Sequence, residues 1–247
     1  TLERLRNFKI PGFIDAILKQ QESLQYAELS FEDRLKLIVD HEHTRRSQVK
    51  AQRLLRAARI PSGVSLDEVD FTVARGLKRE LLMELLEGHW LEKGNNLIIS
   101  GHTGAGKTFI ASVIGHSLCM NGISVRFDRT HHWLAEFSLQ DERKRFPQSV
   151  GGYRRVPLLI FDEWLRDQVT AYQSRLLLDL IDDRYQRRSL MFVSQLPVSS
   201  WHARFEDPTL ADAILDRIVH SASRIELQGE SMRKRRAQET GNVASLR

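Results

Sequence analysis

Apolar residues recur at spacings of three, four and seven in the first part of the chain: Phe13, Ile17 and Leu24, then Phe31, Leu35, Ile38 and Val39. That period belongs to helices with one buried face, and it predicts a small all-helical domain over residues 1–58. Ser30 with Asp33 three residues on marks a helix start, and Pro61-Ser62-Gly63 marks a stop. Residues 59–66 therefore read as a linker. Beyond it, a helix predicted over 71–87 carries Leu77, Leu81, Leu82 and Leu85. The period then changes. Short apolar runs at 96–100, 124–129, 156–162, 190–194 and 223–227 alternate with helix-like stretches, the longest at 172–187. Strand and helix in alternation predict an α/β fold with a doubly wound, parallel, five-stranded sheet over residues 67–230, with its ligand at the carboxyl ends of the strands.

The first strand runs directly into Gly101-His102-Thr103-Gly104-Ala105-Gly106-Lys107-Thr108, a glycine, four residues, then Gly-Lys-Thr, opening a helix with Phe109, Ile110, Val113 and Ile114. This is a phosphate-binding loop in its required context. The glycines let backbone amides curl round the phosphates, and the helix points its positive end at them. Lys107 is expected to neutralise β/γ charge and Thr108 to coordinate magnesium. Gly101, Thr103, Gly104, Ala105, Gly106, Lys107, Thr108 and Phe109 form the expected nucleotide-contacting set. Downstream, the apolar run Leu158-Leu159-Ile160-Phe161 ends in Asp162-Glu163. Asp162 is the expected magnesium ligand and Glu163 the expected base for the attacking water. Ser194-Gln195 closes the next strand, where a polar pair could touch the γ-phosphate or the water.

Asp207-Pro208 is a helix start, and that helix carries Leu210, Ile214 and Ile218 on one face with Arg217 at its edge. Arg217 reads either as half of a surface ion pair, with Asp216 or Glu226, or as an arginine that reaches the nucleotide site of an adjacent subunit.

Charge changes the picture in one place. The whole chain has 37 Lys and Arg against 32 Asp and Glu, a net +5, which alone says little about partners. Yet Arg45, Arg46, Lys50, Arg53, Arg56 and Arg59 fall between residues 44 and 60 with no acidic residue among them. On a helix Arg46, Lys50 and Arg53 share a strip, and either a solvated face or phosphate contacts to DNA or RNA follow. Arg233-Lys234-Arg235-Arg236 gives residues 231–247 the character of a basic tail. The single cysteine, Cys119, allows no internal disulfide and no cysteine-based metal cluster. No apolar run approaches the ~20 residues that span a bilayer, and the start of the chain is charged, so a cytoplasmic protein without membrane contact is expected.

Taken together, Leu5-Arg6, Ile10-Pro11-Gly12, Leu29-Ser30-Phe31-Glu32, Arg34-Leu35, the arginine-rich helix, the phosphate loop, Asp162-Glu163, Ser194-Gln195, Ile214-Leu215-Asp216-Arg217 and Gly229-Glu230-Ser231-Met232-Arg233 resemble the IstB-like helper ATPases of bacterial transposons. These are relatives of the DnaC helicase loader within the AAA+ proteins. The resemblance implies an ATPase using ATP and Mg2+ that assembles as a homo-oligomer on double-stranded DNA and recruits and stimulates the transposase of the same element. It places the family's arginine finger on Arg217 and its polar sensor on Ser194 or Gln195, with Arg233 a candidate for the second sensor. It also implies an AAA+ sheet without a full helical lid. The competing reading is a DnaC-like loader that acts as an ATP-gated adaptor. A small-molecule phosphotransferase is disfavoured, because it has no use for Glu163.

Overall fold

A computed structural model describes residues 2–72, 76–142, 150–229 and 232. The chain divides into two compact units, 1–53 and 54–247.

The first unit is helical. After α1 (Leu2–Asn7), α2 (Pro11–Glu22) begins with proline at its first position, and α3 (Phe31–Ala58) begins after Ser30, whose hydroxyl accepts from the Asp33 amide at 3.1 Å. Glu42, 7% exposed, ties α2 to α3. Its carboxylate accepts from the Phe13 amide in the first turn of α2 (3.2 Å), from Arg45 Nε and Nη2 (3.2 and 3.1 Å) and from Arg46 Nε (2.6 Å). A negative group at a helix start also meets the positive end of the helix dipole. The Arg45 bonds first, with Arg46 and the Phe13 amide adding, hold the Glu42 carboxyl down at about 2 against the opposing effect of burial. The two units meet in sequence within α3: Leu54, Leu55 and Ala58 pack on the core of the second unit.

In the second unit, β1 (Asn96–Gly101), β2 (Val125–Arg129), β3 (Leu158–Asp162), β4 (Ser189–Ser194) and β5 (Ala222–Leu227) form one sheet in the order β2-β3-β4-β1-β5, every pairing parallel. Alternate residues face opposite layers. Leu97, Ile99, Leu158, Ile160, Met191 and Val193 pack with α4 (Arg79–Glu87) and α5 (Lys107–Met120). Ile98, Leu159, Phe161, Leu190 and Phe192 pack on the other face with α6 (Thr130–Glu142), α8 (Ala171–Arg184) and α9 (Pro208–Val219); a short α7 (Gly151–Arg155) precedes β3. A strand covered on both faces must be apolar throughout, which is why β1, β3 and β4 read as unbroken runs. Each such side chain contributes about 1.5–3 kcal/mol of burial.

The predicted helix over 71–87 is shorter than its pattern suggested. Its regular part is α4, preceded by a 3-10 turn at Leu66–Glu68. Asp70 accepts from the Thr72 amide (2.8 Å), a local bond that competes with helix. Gly76 has φ +79, and a Cβ there would lie 2.4 Å from the Glu226 carbonyl of β5. The residues assigned to a basic tail, Arg233 to Arg236, lie outside the described residues.

Two buried polar side chains close the ends of the sheet. Asn96 donates to the carbonyls of Arg217 and Ile218 (3.3 and 3.2 Å) and accepts from the Leu190 amide (3.0 Å), joining α9 to β1 and β4. Arg184, fully buried, donates to the carbonyls of Tyr153, Val156, Pro157 and Ser189 at 2.5, 2.9, 3.3 and 2.5 Å. Burial pulls its pKa down to about 9, still above neutrality, so it stays charged. Arg184→Met keeps the stem and removes every donor from four buried acceptors. It should cost on the order of 3–5 kcal/mol, measured by urea unfolding followed at the tryptophans.

Glu42 gives a second test. Because its folded pKa lies below the unfolded value, its contribution is complete above about pH 4.5 and is lost as pH falls through about 2. The stability gap between the protein and Glu42→Gln, followed by helical circular dichroism, should hold constant above the upper limit and narrow towards the lower.

Candidate functional site

Gly101 ends β1 with φ +142, and a Cβ there would stand 2.1 Å from the Leu227 carbonyl of β5. The chain then turns through residues 102–106, with Gly104 and Gly106 at φ +85 and +89, into α5. Only glycine adopts such angles without strain. The loop wraps one side of a cavity of about 350 Å3, lined by Thr103, Gly104, Gly106, Lys107, Thr108, Phe109, Asp162, Glu163 and Gln195, together with Glu68, Val193 and Met232. Gly101 and Ala105, expected among the nucleotide-contacting residues, do not line the cavity, and Ala105 is 1% exposed.

Lys107, 7% exposed, donates to the His102 carbonyl at 2.7 Å. Burial lowers its pKa, and Asp162 partly restores it. Asp162 is 5% exposed at the tip of β3, its oxygens 3.1 and 3.2 Å from Thr108 Oγ1 and its carbonyl accepting from Thr130 Oγ1 at 3.0 Å. Burial raises its pKa, opposed by bonds from the Glu163 amide and Thr108. A hydroxyl and a buried carboxylate side by side are hard oxygen donors, and they fit a magnesium ion that would replace their mutual bond.

The polar pair after β4 separates into two roles. Ser194, 1% exposed, donates to the Trp164 carbonyl (2.9 Å) and accepts from the Leu196 amide (3.1 Å), and it does not line the cavity. Gln195 does, and its carbonyl oxygen accepts from Thr103 Oγ1 at 2.8 Å. Arg217 lies apart from the cavity. Its partner is neither Asp216 nor Glu226 but Asp182 on α8, and its Nη1 donates to the Ala213 carbonyl at 2.7 Å. Arg45, Arg46, Lys50, Arg53 and Arg56 lie along α3, outside the cavity; two of them share Glu42, whereas Lys50, Arg53 and Arg56 have no ion pair among the described residues.

Four features of the site were not assigned to it by the sequence. Glu68 enters the cavity from the 3-10 turn, and the Met232 amide donates to the Gly104 carbonyl at 2.9 Å, so chain far from the loop in sequence completes its wall. Glu163 and Leu165 take φ +55 and +54, at about 1–2 kcal/mol each for residues with a Cβ. Arg166 Nη1 donates to Glu163 Oε2 at 2.6 Å, and His131 Nδ1 lies 3.2 Å from that oxygen.

A family model described as IstB-like ATP binding protein matches residues 3–240. A protein of Sinorhizobium fredii named as an insertion sequence ATP-binding protein is 36% identical over 234 residues, covering 95% of this chain and 96% of its own. Among solved structures, DnaI superposes with TM-score 0.59 at 19% identity, covering 72% of this chain and 94% of that one. The DnaC helicase loader superposes with TM-score 0.52 at 15% identity, covering 60% and 87%. These two likenesses speak for the fold. The phosphate loop on β1, the carboxylate at the tip of β3 and a family match over nearly the whole chain converge, and the chain belongs to the IstB-like ATP-binding proteins.

Proposed function

We propose that the protein is an ATPase that serves an insertion sequence: it assembles on double-stranded DNA as a homo-oligomer and recruits and stimulates the transposase of the same element. The observation that supports hydrolysis most directly is the pair of adjacent carboxylates on one cavity wall, with Asp162 bonded to Thr108 and buried Lys107 lining the same cavity.

In this reading the loop amides and Lys107 hold the β- and γ-phosphates, and Gln195 exchanges its bond to Thr103 for the γ-phosphate. Thr108 and Asp162 would hold Mg2+, which would neutralise charge developing on the phosphate oxygens. Glu163 accepts a proton from water, the water oxygen bonds to the γ-phosphorus, and the bridging bond to ADP breaks. Burial disfavours the charged forms of both Lys107 and Asp162. An anionic phosphate beside the first and a cation beside the second favour those forms again, so the site is built to receive both charges together. Arg217 would act across a subunit boundary, which requires it to leave Asp182.

The helicase-loader alternative rests on likeness of fold, at 15% identity and over 60% of this chain. The insertion-sequence relative matches through the helical unit as well, and that breadth favours the transposition reading.

Two single substitutions separate binding from chemistry. Lys107→Ala should abolish tight ATP binding, whereas Glu163→Gln should retain it and slow hydrolysis by about two or more orders of magnitude. Equilibrium titration with a fluorescent ATP analogue and a phosphate-release assay measure the two. Normal hydrolysis in Glu163→Gln would remove the role given to that residue.

For DNA, the stretch of α3 beyond Glu42 supplies the cations. Log affinity should fall linearly with log salt, and replacing Arg46, Lys50 and Arg53 together should reduce the slope by roughly two to three units, equally on unrelated sequences. Since Arg46 already shares Glu42, its single replacement should change the slope least. An unchanged slope in the triple variant would mean a solvated face.

A further inference from the structure

The carboxylate assigned to water activation is already engaged. Glu163 Oε2 accepts from Arg166 Nη1 at 2.6 Å. His131 Nδ1 stands 3.2 Å from the same oxygen, buried and without a hydrogen bond. A general base must present a lone pair to the proton it takes. Here one carboxylate oxygen gives a lone pair to a guanidinium, with an imidazole nitrogen beside it that makes no hydrogen bond.

Arg166 also has a second carboxylate. Asp167 accepts from Nε at 3.2 and 3.4 Å and from Nη2 at 2.8 Å. The fork of the guanidinium therefore gives one edge to Asp167 and its remaining nitrogen to Glu163. If Glu163 departs, Arg166 keeps a charged partner and no cation is stranded. The backbone around it is not free to follow. The Trp164 amide donates to the Val193 carbonyl at 2.8 Å, the Trp164 ring is 1% exposed, and Arg204 holds the carbonyls of Leu165 and Arg166 at 3.1 and 2.6 Å. What remains available is rotation of the Glu163 side chain on a fixed turn. Glu163 stands on the wall common to the nucleotide cavity, a hollow with His131 and Asp167, and another with Arg166 and Arg204.

We propose that Arg166 is a positioning residue that holds Glu163 at rest, and that Asp167 is the alternative partner that lets it go. Turnover then requires the Arg166–Glu163 contact to open while the Arg166–Asp167 contact persists. This rests on Glu163 being the base. It assigns opposite signs to two neighbouring substitutions, which an ordinary surface ion pair would not do.

The test is steady-state phosphate release at saturating ATP, with and without duplex DNA, beside binding of a fluorescent ATP analogue. Arg166→Ala and Arg166→Gln should raise kcat about threefold or more with KM for ATP unchanged, since only the resting contact is lost. Arg166→Lys, which keeps a cation, should fall between them and the parent. Asp167→Ala should lower kcat, because Arg166 is left with Glu163 alone, and Arg166→Ala/Asp167→Ala should behave as Arg166→Ala does. A kcat in Arg166→Ala equal to or below the parent's, or a rise in Asp167→Ala, would overturn the hold. Adding Glu163→Gln to Arg166→Ala should abolish the gain. Persistent turnover in that double variant would instead refute Glu163 as base, so the two failures are told apart.

Discussion

The second unit depends on a charge placed where little solvent reaches it. Asp162 sits at the end of a strand covered by helices on both faces and is 5% exposed. Stripped of solvent, a carboxylate needs donors or a cation nearby. The parallel sheet supplies them by geometry. Strands that all run one way bring the ends of β1, β3 and β4 to one edge, with β4 between the other two. Thr108 from the helix after β1 and the Glu163 amide therefore reach Asp162, and Lys107 acts on it through its field. The same proximity leaves a pocket lined by the loop, one ammonium and the carboxylates of Asp162 and Glu163, with Glu68 a third, a set that suits a metal-bound triphosphate.

This arrangement was largely legible in the sequence because each part is local. A phosphate loop between strand and helix is a contiguous string, and a buried strand ending in two acids is another. The five strands are found within two residues of their predicted positions, since unbroken apolar runs arise directly from two-sided burial. What stayed hidden depends on side chains meeting from distant segments. Glu68 and Met232 enter the cavity from either end of the unit; nothing near Glu68 in sequence marks it, and the motif that contains Met232 does not tie it to the phosphate loop. Ser194 and Gln195 form one polar pair on the page, but the alternation of a strand turns neighbours to opposite sides, so one bonds inward to Trp164 and the other faces the loop. The helix over 71–87 was overextended because apolar spacing continues through Leu77, whereas Gly76 passes too close to β5 for any side chain.

The basic stretch shows how one residue outside a window alters its meaning. Counted from residue 44, α3 carries cations alone, yet Glu42 one turn earlier binds Arg45 and Arg46 and caps α2. A carboxylate held at about 2 stays charged at any physiological pH. The strip is therefore weaker at its start than composition implies. Its positive potential builds towards Lys50, Arg53 and Arg56, and a phosphate backbone would be met most strongly there.

Strain and anchorage at the turn after β3 belong together. Glu163 and Leu165 both adopt left-handed angles, unfavourable for residues with a Cβ, and such angles persist only where surroundings over-determine them. Trp164 supplies that force from between them, its ring packed on Phe192 with centroids 4.5 Å apart and near Trp201 at 6.0 Å. Arg204 pins the two carbonyls that follow. A turn fixed so firmly leaves rotation about the Glu163 side chain as the motion that remains, and the bond from Arg166 opposes it. The cost of strain thus goes into a pivot, and the electrostatic partners around that pivot, Arg166, His131 and Asp167, decide which way the carboxylate points. In this arrangement packing fixes where the Glu163 side chain is mounted, and charged neighbours bear on where its carboxylate points.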